Sequence, residues 1–272
     1  MLTLVHASDL QMGRPFRPEV GEAFLAAAAA ASPDLVVVSG DLTQRAKTRE
    51  YRAVREFLDR LPPCPRVVTP GNHDVPLYRF WERIAAPYRN WRRWMAPELD
   101  TVLERDGAVV VALNSSAPRR AIINGRLDRR QLIWAARAFA DVEQGALRIL
   151  VTHHHFAPTP HDEGGRPLPG AARLLRAFED MGVELILGGH IHQTRIGRAG
   201  DLIDLPAGDP GALIVRAGTA TSSRGRGRER GSNTFNILSV DERRIDVETW
   251  AFDRDARAFR PRSRESFGRR MT

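Results

Sequence analysis

The 272-residue chain predicts an α/β fold, a four-layer α/β/β/α sandwich with two mixed sheets. Three observations carry that prediction. Short apolar runs alternate with helical patterns through the first two-thirds of the chain, and strand patterns alone follow Gly189. Carboxylate, amide and imidazole side chains recur where the apolar runs stop, which places a site at strand carboxyl ends.

Taken in order, residues 2–6, 35–38, 66–69, 109–113, 147–152 and 184–187 read as strands, being short and rich in aliphatic and β-branched residues. Helical periodicity falls between them at 20–31, 46–61, 77–95, 129–140 and 171–181, the fourth preceded by Asp128 as a cap. Later strands are expected around 194–197, 213–217, 234–240 and 244–251. The segment from Arg224 to Gly231 alternates arginine with glycine and reads as a loop. Residues 1–253 are expected to form one domain, and 254–272 a basic, mobile tail or one laid across the surface.

A 42% hydrophobic content at this length supports a full core. Cys64, the single cysteine, lies in a Pro-Pro-Cys-Pro turn and has no partner for an internal disulfide. No window approaches the roughly 18 apolar residues of a membrane span, so a soluble, cytoplasmic protein is expected. The formal charge is +8, and Lys47 is the only lysine among many arginines. That balance favours an anionic partner, a phosphate ester or a nucleic acid. With 7% aromatic residues and none interleaved with the Arg224–Arg230 cluster, a base-stacking platform is absent and nucleic acid is not favoured. Oligomeric state is not legible.

Five strand ends carry the chemistry. They read Asp9-Leu10-Gln11, Gly40-Asp41, Gly71-Asn72-His73-Asp74, His153-His154-His155 and Gly189-His190-Ile191-His192. A lone aspartate after a strand is commonly a turn former, but five such ends in one order point to a metal site.

In these motifs the chain resembles the calcineurin-like metallophosphoesterase superfamily, with the likeness running from Asp9 to His192. The stretch Ala217–Arg224 also resembles the bacterial cyclic-nucleotide-phosphodiesterase-like branch. The resemblance implies two divalent or trivalent metal ions, manganese or iron being favoured over zinc or magnesium for either. Asp9, Gln11, Asp41 and His192 would hold one; Asp41, Asn72, His153 and His190 would hold the other, with Asp41 bridging. It further implies a small phosphoester substrate, attack by a metal-activated hydroxide, His73 as acid for the leaving group, and Asp74 orienting the His73 ring. His154 and Arg224 are candidates to touch substrate.

Gln11 departs from the family, which has histidine there. A neutral amide oxygen weakens that site and tilts it from zinc toward manganese or magnesium. Glutamine there also resembles manganese-dependent diphosphatases of ADP-ribose and CDP-alcohols. The leading expectation is therefore phosphodiester hydrolysis, of cyclic nucleotides or glycerophosphodiesters. A diphosphatase is the alternative, with a nuclease or a non-catalytic metal-binding module behind it.

Overall fold

Alternation within each strand divides the apolar residues between two faces, and each face has a distinct neighbour. The computed structural model describes residues 1–105, 107–119, 123–143, 145–158 and 166–270. One sheet has the order β12 (Ala258–Gly268), β11 (Arg244–Asp253), β10 (Thr234–Val240), β1 (Leu2–Ala7), β2 (Leu35–Val38), β3 (Arg66–Val68). The other runs β4 (Thr101–Arg105), β5 (Ala108–Ala112), β6 (Leu147–Val151), β7 (Leu185–Gly188), β9 (Leu213–Arg216), β8 (Arg195–Arg198). Both sheets are mixed: β1–β2–β3 and β5–β6–β7–β9 pair in parallel, and the flanking strands are antiparallel.

Leu4, Leu35 and Val37 meet Val110, Ile149 and Leu187 in the buried layer between the sheets. The alternate residues face outward. Val5, Val36 and Val38 pack under α1 (Pro18–Ala30) and α2 (Thr48–Leu58), while Val111, Leu150 and Ile186 pack under α5 (Arg129–Ala140) and α6 (Ala171–Asp180). The four expected layers are thus present. Asp128 caps α5, accepting from the backbone N–H of Arg130 and Gln131 at 2.8 and 3.0 Å.

Three expectations change. The helix expected over 77–95 is broken at Pro87 into α3 (Phe80–Ala85) and α4 (Arg89–Trp94), since proline has no N–H to continue the first piece. Strand β4 was not legible: it is an edge strand of half-buried residues whose pairing with β5 defines it. Residues 258–268 are not a mobile tail. They form β12 along β11, with Phe259 buried against Phe24 and Phe235. Arg269 then donates from Nη2 and Nε to the two carboxylate oxygens of Glu184, at 2.8 and 3.1 Å, tying the chain end to the second sheet. Among the described residues no helix is long and apolar enough to cross a membrane.

Candidate metal centre

The chain bends sharply where the central strands end. Asp9, Gln11, Asp41, His190 and His192 all have left-handed backbone, with φ of 55°, 50°, 52°, 74° and 59°. Side chains rarely adopt that conformation, and its cost of about 1–3 kcal/mol per residue persists only where the surroundings impose it. Here the turn swings each side chain back across the strand ends. Glycine is required beside two of them: a Cβ on Gly71 would overlap the Asp41 carboxylate, and one on Gly189 the Ser8 hydroxyl.

One group of donors gathers around His153. Its Nδ1 lies 2.8 Å from the Ser39 carbonyl oxygen, so Nδ1 carries the proton and Nε2 presents a bare lone pair. That lone pair faces Asn72 Oδ1 at 3.3 Å, Asp41 Oδ1 at 3.4 Å and His190 Nδ1 at 3.3 Å. Asn72 Oδ1 is itself 3.0 Å from His190 Nδ1. Too few protons are available to pair these acceptors with one another. Ligands about 2.0–2.2 Å from a shared ion stand about 3.0–3.5 Å apart, the spacing observed. The residues therefore fit a cation.

The second group adjoins it through Asp41. Asp9 is fully buried; its Oδ2 accepts from Ser8 Oγ at 2.7 Å and His190 N–H at 3.0 Å. Its Oδ1 has no hydrogen-bond donor and lies 3.2 Å from His192 Nε2. Burial pushes the Asp9 carboxyl up to about 7, as expected of an anion awaiting a positive charge. Burial opposes the charge on Asp41 too, but the His153 and His73 rings beside it hold its carboxyl below the usual range. His190 and His192 are lowered by burial and so favour the neutral, ligating form. His153 is raised, because Asp41 and Asp9 outweigh its burial.

Gln11 reaches this second group differently from expectation. Its amide nitrogen lies 3.3 Å from both Asp41 Oδ2 and His192 Nε2, while its oxygen accepts from Arg224 Nη1 at 3.3 Å. The oxygen expected to face a metal instead faces a guanidinium; turning the amide half about its last bond exchanges the two.

His73 stands at the rim, half-buried. Its Nδ1 donates to the Gln44 carbonyl at 2.9 Å, so its Nε2 accepts from Arg224 Nη1 at 3.0 Å. The orienting partner is thus the Gln44 backbone, correcting the role expected of Asp74. The Asp74 carboxylate instead accepts from the backbone N–H of Leu42, Thr43 and Gly71 and from the Thr43 hydroxyl, at 2.8–3.0 Å. It joins the two loops that carry Asp41 and Asn72. His154 is buried with Nδ1 2.8 Å from Ser115 Oγ, and its ring lies 4.6 Å from that of His190. Its Nδ1 is thus engaged by a hydroxyl. Its donor atoms nonetheless lie close enough to those of His153 and His190 to belong to the same cluster. Gln44, which contacts both His73 and Arg224, was missed, because a glutamine three residues after Asp41 carries no signal of its own.

Residues 2–194 match the calcineurin-like phosphoesterase family, well over half of the chain. The chain belongs to that family. A relative from Synechococcus sp. described as a probable cyclic nucleotide phosphodiesterase is 30% identical over 174 residues, covering 61% of this chain and 60% of its own. A cAMP/cGMP dual specificity phosphodiesterase from Mycobacterium tuberculosis is 28% identical over 217 residues, 75% of this chain and 63% of its own. The chain thus spans about three-fifths of the length of the curated relatives it matches. Among solved structures, a purple acid phosphatase from yellow lupin aligns with a TM-score of 0.75 at 12% identity, covering 98% of this chain and 53% of that one. A dimetal phosphatase from Danio rerio aligns at 0.61 and 13% identity, covering 100% and 99%. Likeness at that identity establishes the fold alone.

Proposed function

We propose that the chain hydrolyses phosphodiesters at a dinuclear metal centre. The observation that carries this reading is the convergence of proton-poor donors on Asp41, contributed by both sheets: Asp9, Asp41 and Asn72 from one, His153, His190 and His192 from the other. Asp41 would bridge, since one carboxylate can give an oxygen to each of two ions. When bound, such ions supply Lewis-acid charge to the phosphoryl oxygens and lower the pKa of water toward neutrality. The names of the two curated relatives favour cyclic nucleotides as the substrate class.

The protein's own groups complete the chemistry. His73, its Nδ1–H held by the Gln44 carbonyl, turns Nε2 toward the open side, where a proton carried on that atom can pass to the departing alkoxide. Arg224 touches Nε2 at 3.0 Å and would exchange that contact for a phosphoryl oxygen as substrate enters. Asp74 fixes the loop of Asn72 and His73 against the loop of Asp41.

The test is turnover of bis-p-nitrophenyl phosphate and cyclic AMP by the manganese-loaded protein beside His73→Ala, with metal counted on both. We expect two metals per chain in each and a kcat lower by about 10²–10⁴-fold in the variant. Equal turnover by the variant would remove His73 from the mechanism. Absence of metal from the loaded wild type would sink the dinuclear reading itself.

A further inference from the structure

A cleft of about 480 Å³ opens beside His73, lined by Arg14, Gln44, Arg45, Lys47, Arg49 and Arg224. We infer that this cleft binds a second phosphate group of the substrate, so that phosphoesters carrying an added anionic group beyond the scissile one are preferred. The inference rests on the phosphoesterase reading and goes beyond the cyclic-nucleotide class, whose members carry the scissile phosphate alone. Its size falls within the range of small-ligand sites, and its inner end is the guanidinium that contacts His73, Gln44 and Gln11 at 3.0, 3.4 and 3.3 Å. A group lying in the cleft is therefore within one side chain of the proposed reacting phosphate.

Charge decides what can lie there. Five cationic side chains line the cleft, and among the described residues no carboxylate pairs with Arg14, Arg45, Lys47 or Arg49, all of them exposed. Glu50 is the one acidic group in the lining. Its Oε2 is turned to the backbone N–H of Arg45 and Lys47, at 2.7 and 3.3 Å. The N-terminus of α2 begins at Thr48 beside these residues and adds its own positive end. Arg45 is held in position, its guanidinium 4.2 Å from the centre of the Tyr78 ring. Unpaired, convergent arginines with free donors match phosphate oxygens better than a carboxylate or a neutral sugar.

Two measurements on the metal-loaded full chain test this. In the first, kcat/KM is compared for dithymidine monophosphate, bare and with a terminal phosphate at its 5′ or 3′ end. The Arg14→Ala/Arg49→Ala double variant is run alongside, with bis-p-nitrophenyl phosphate as the control. We expect at least about a tenfold preference for one phosphorylated form, lost in the double variant and reduced at high salt, with control turnover unchanged. No preference, or one that survives in the variant, overturns the inference. In the second, calorimetry compares thymidine 3′,5′-bisphosphate with thymidine 5′-monophosphate. A bisphosphate Kd about tenfold weaker in the variant, with the monophosphate Kd little changed, supports the cleft; equal Kd values for the bisphosphate overturn it. Binding is read without turnover. Failure of the phosphoesterase reading, seen as no hydrolysis of the control, is therefore distinguishable from failure of the cleft.

Discussion

At residue 11 the side chain decides whether the first metal position is strong or weak. The glutamine oxygen is held by Arg224, and its nitrogen faces Asp41 and His192. A nitrogen that carries hydrogens cannot ligate, so ligation requires the amide to turn and give up the arginine. In Gln11→His an imidazole nitrogen would replace that amide and Arg224 would lose one acceptor. We expect at least about tenfold tighter retention of the metal at this site, read as metal content after dialysis against graded chelator. Unchanged retention would mean that position 11 does not contact the ion. Asp74 shows the same dependence on environment: its carboxylate serves four donors of two loops rather than the neighbouring imidazole.

Among elements, β12 has the largest consequence that the sequence does not announce. Its arginines face outward at Arg260, Arg262 and Arg264, so its composition reads as a solvated segment. Yet its backbone pairs with β11 from Arg244 to Asp253, Phe259 enters the aromatic cluster over α1, and Arg269 neutralises the buried Glu184. Deleting residues 254–272 should therefore destabilise strongly. Loss of the Phe259 side chain alone costs about 3–5 kcal/mol, and an abandoned buried Glu184 costs a similar amount. Thermal melting checks this: a truncated chain with the wild-type midpoint would show that β12 contributes nothing. α3 and α4 contrast with each other, since Trp91 of α4 is buried edge-on to Tyr51 whereas Trp81 of α3 is 81% exposed.

For the whole molecule, the proposed metal centre is also a joint between the two sheets, so metal, pH and stability are coupled. In the metal-free protein His6, pushed down to about 3, and His154, His190 and His192, also lowered by burial, stay neutral when folded. Below the ordinary histidine value of 6.5 the unfolded chain protonates all four, so their contribution to stability is present above 6.5 and lost as pH falls. Asp9 and Asp74 act oppositely: each raised to about 7 by burial, they contribute stability at low pH that is lost as pH rises through 7. His153, also raised, behaves in the same sense above 6.5. Four histidines outweigh these two carboxyls between pH 5 and 6.5, so urea midpoints in chelator should fall as pH drops from 7 to 5. A midpoint that rises on acidification would contradict the buried, neutral histidines. Metal at about 100 times its Kd should add about 2.7 kcal/mol per site near neutrality, and less on acidification as protons compete for the ligands.

The sequence by itself determined the layers and the identity of the candidate donors. Period-two alternation fixes which face of each strand is buried, and the donors sit in short motifs at strand ends, so both signals lie within a few adjacent residues. Only the tertiary structure decided which atoms meet. Arg224 approaches Gln11 across 213 residues of chain, Asp74 serves the loop after β2 rather than its neighbour, β12 becomes a strand by pairing with β11, and Arg14 joins Arg49 in one cleft. Each depends on a through-space approach of segments whose local composition is compatible with other partners, and packing alone selects among them.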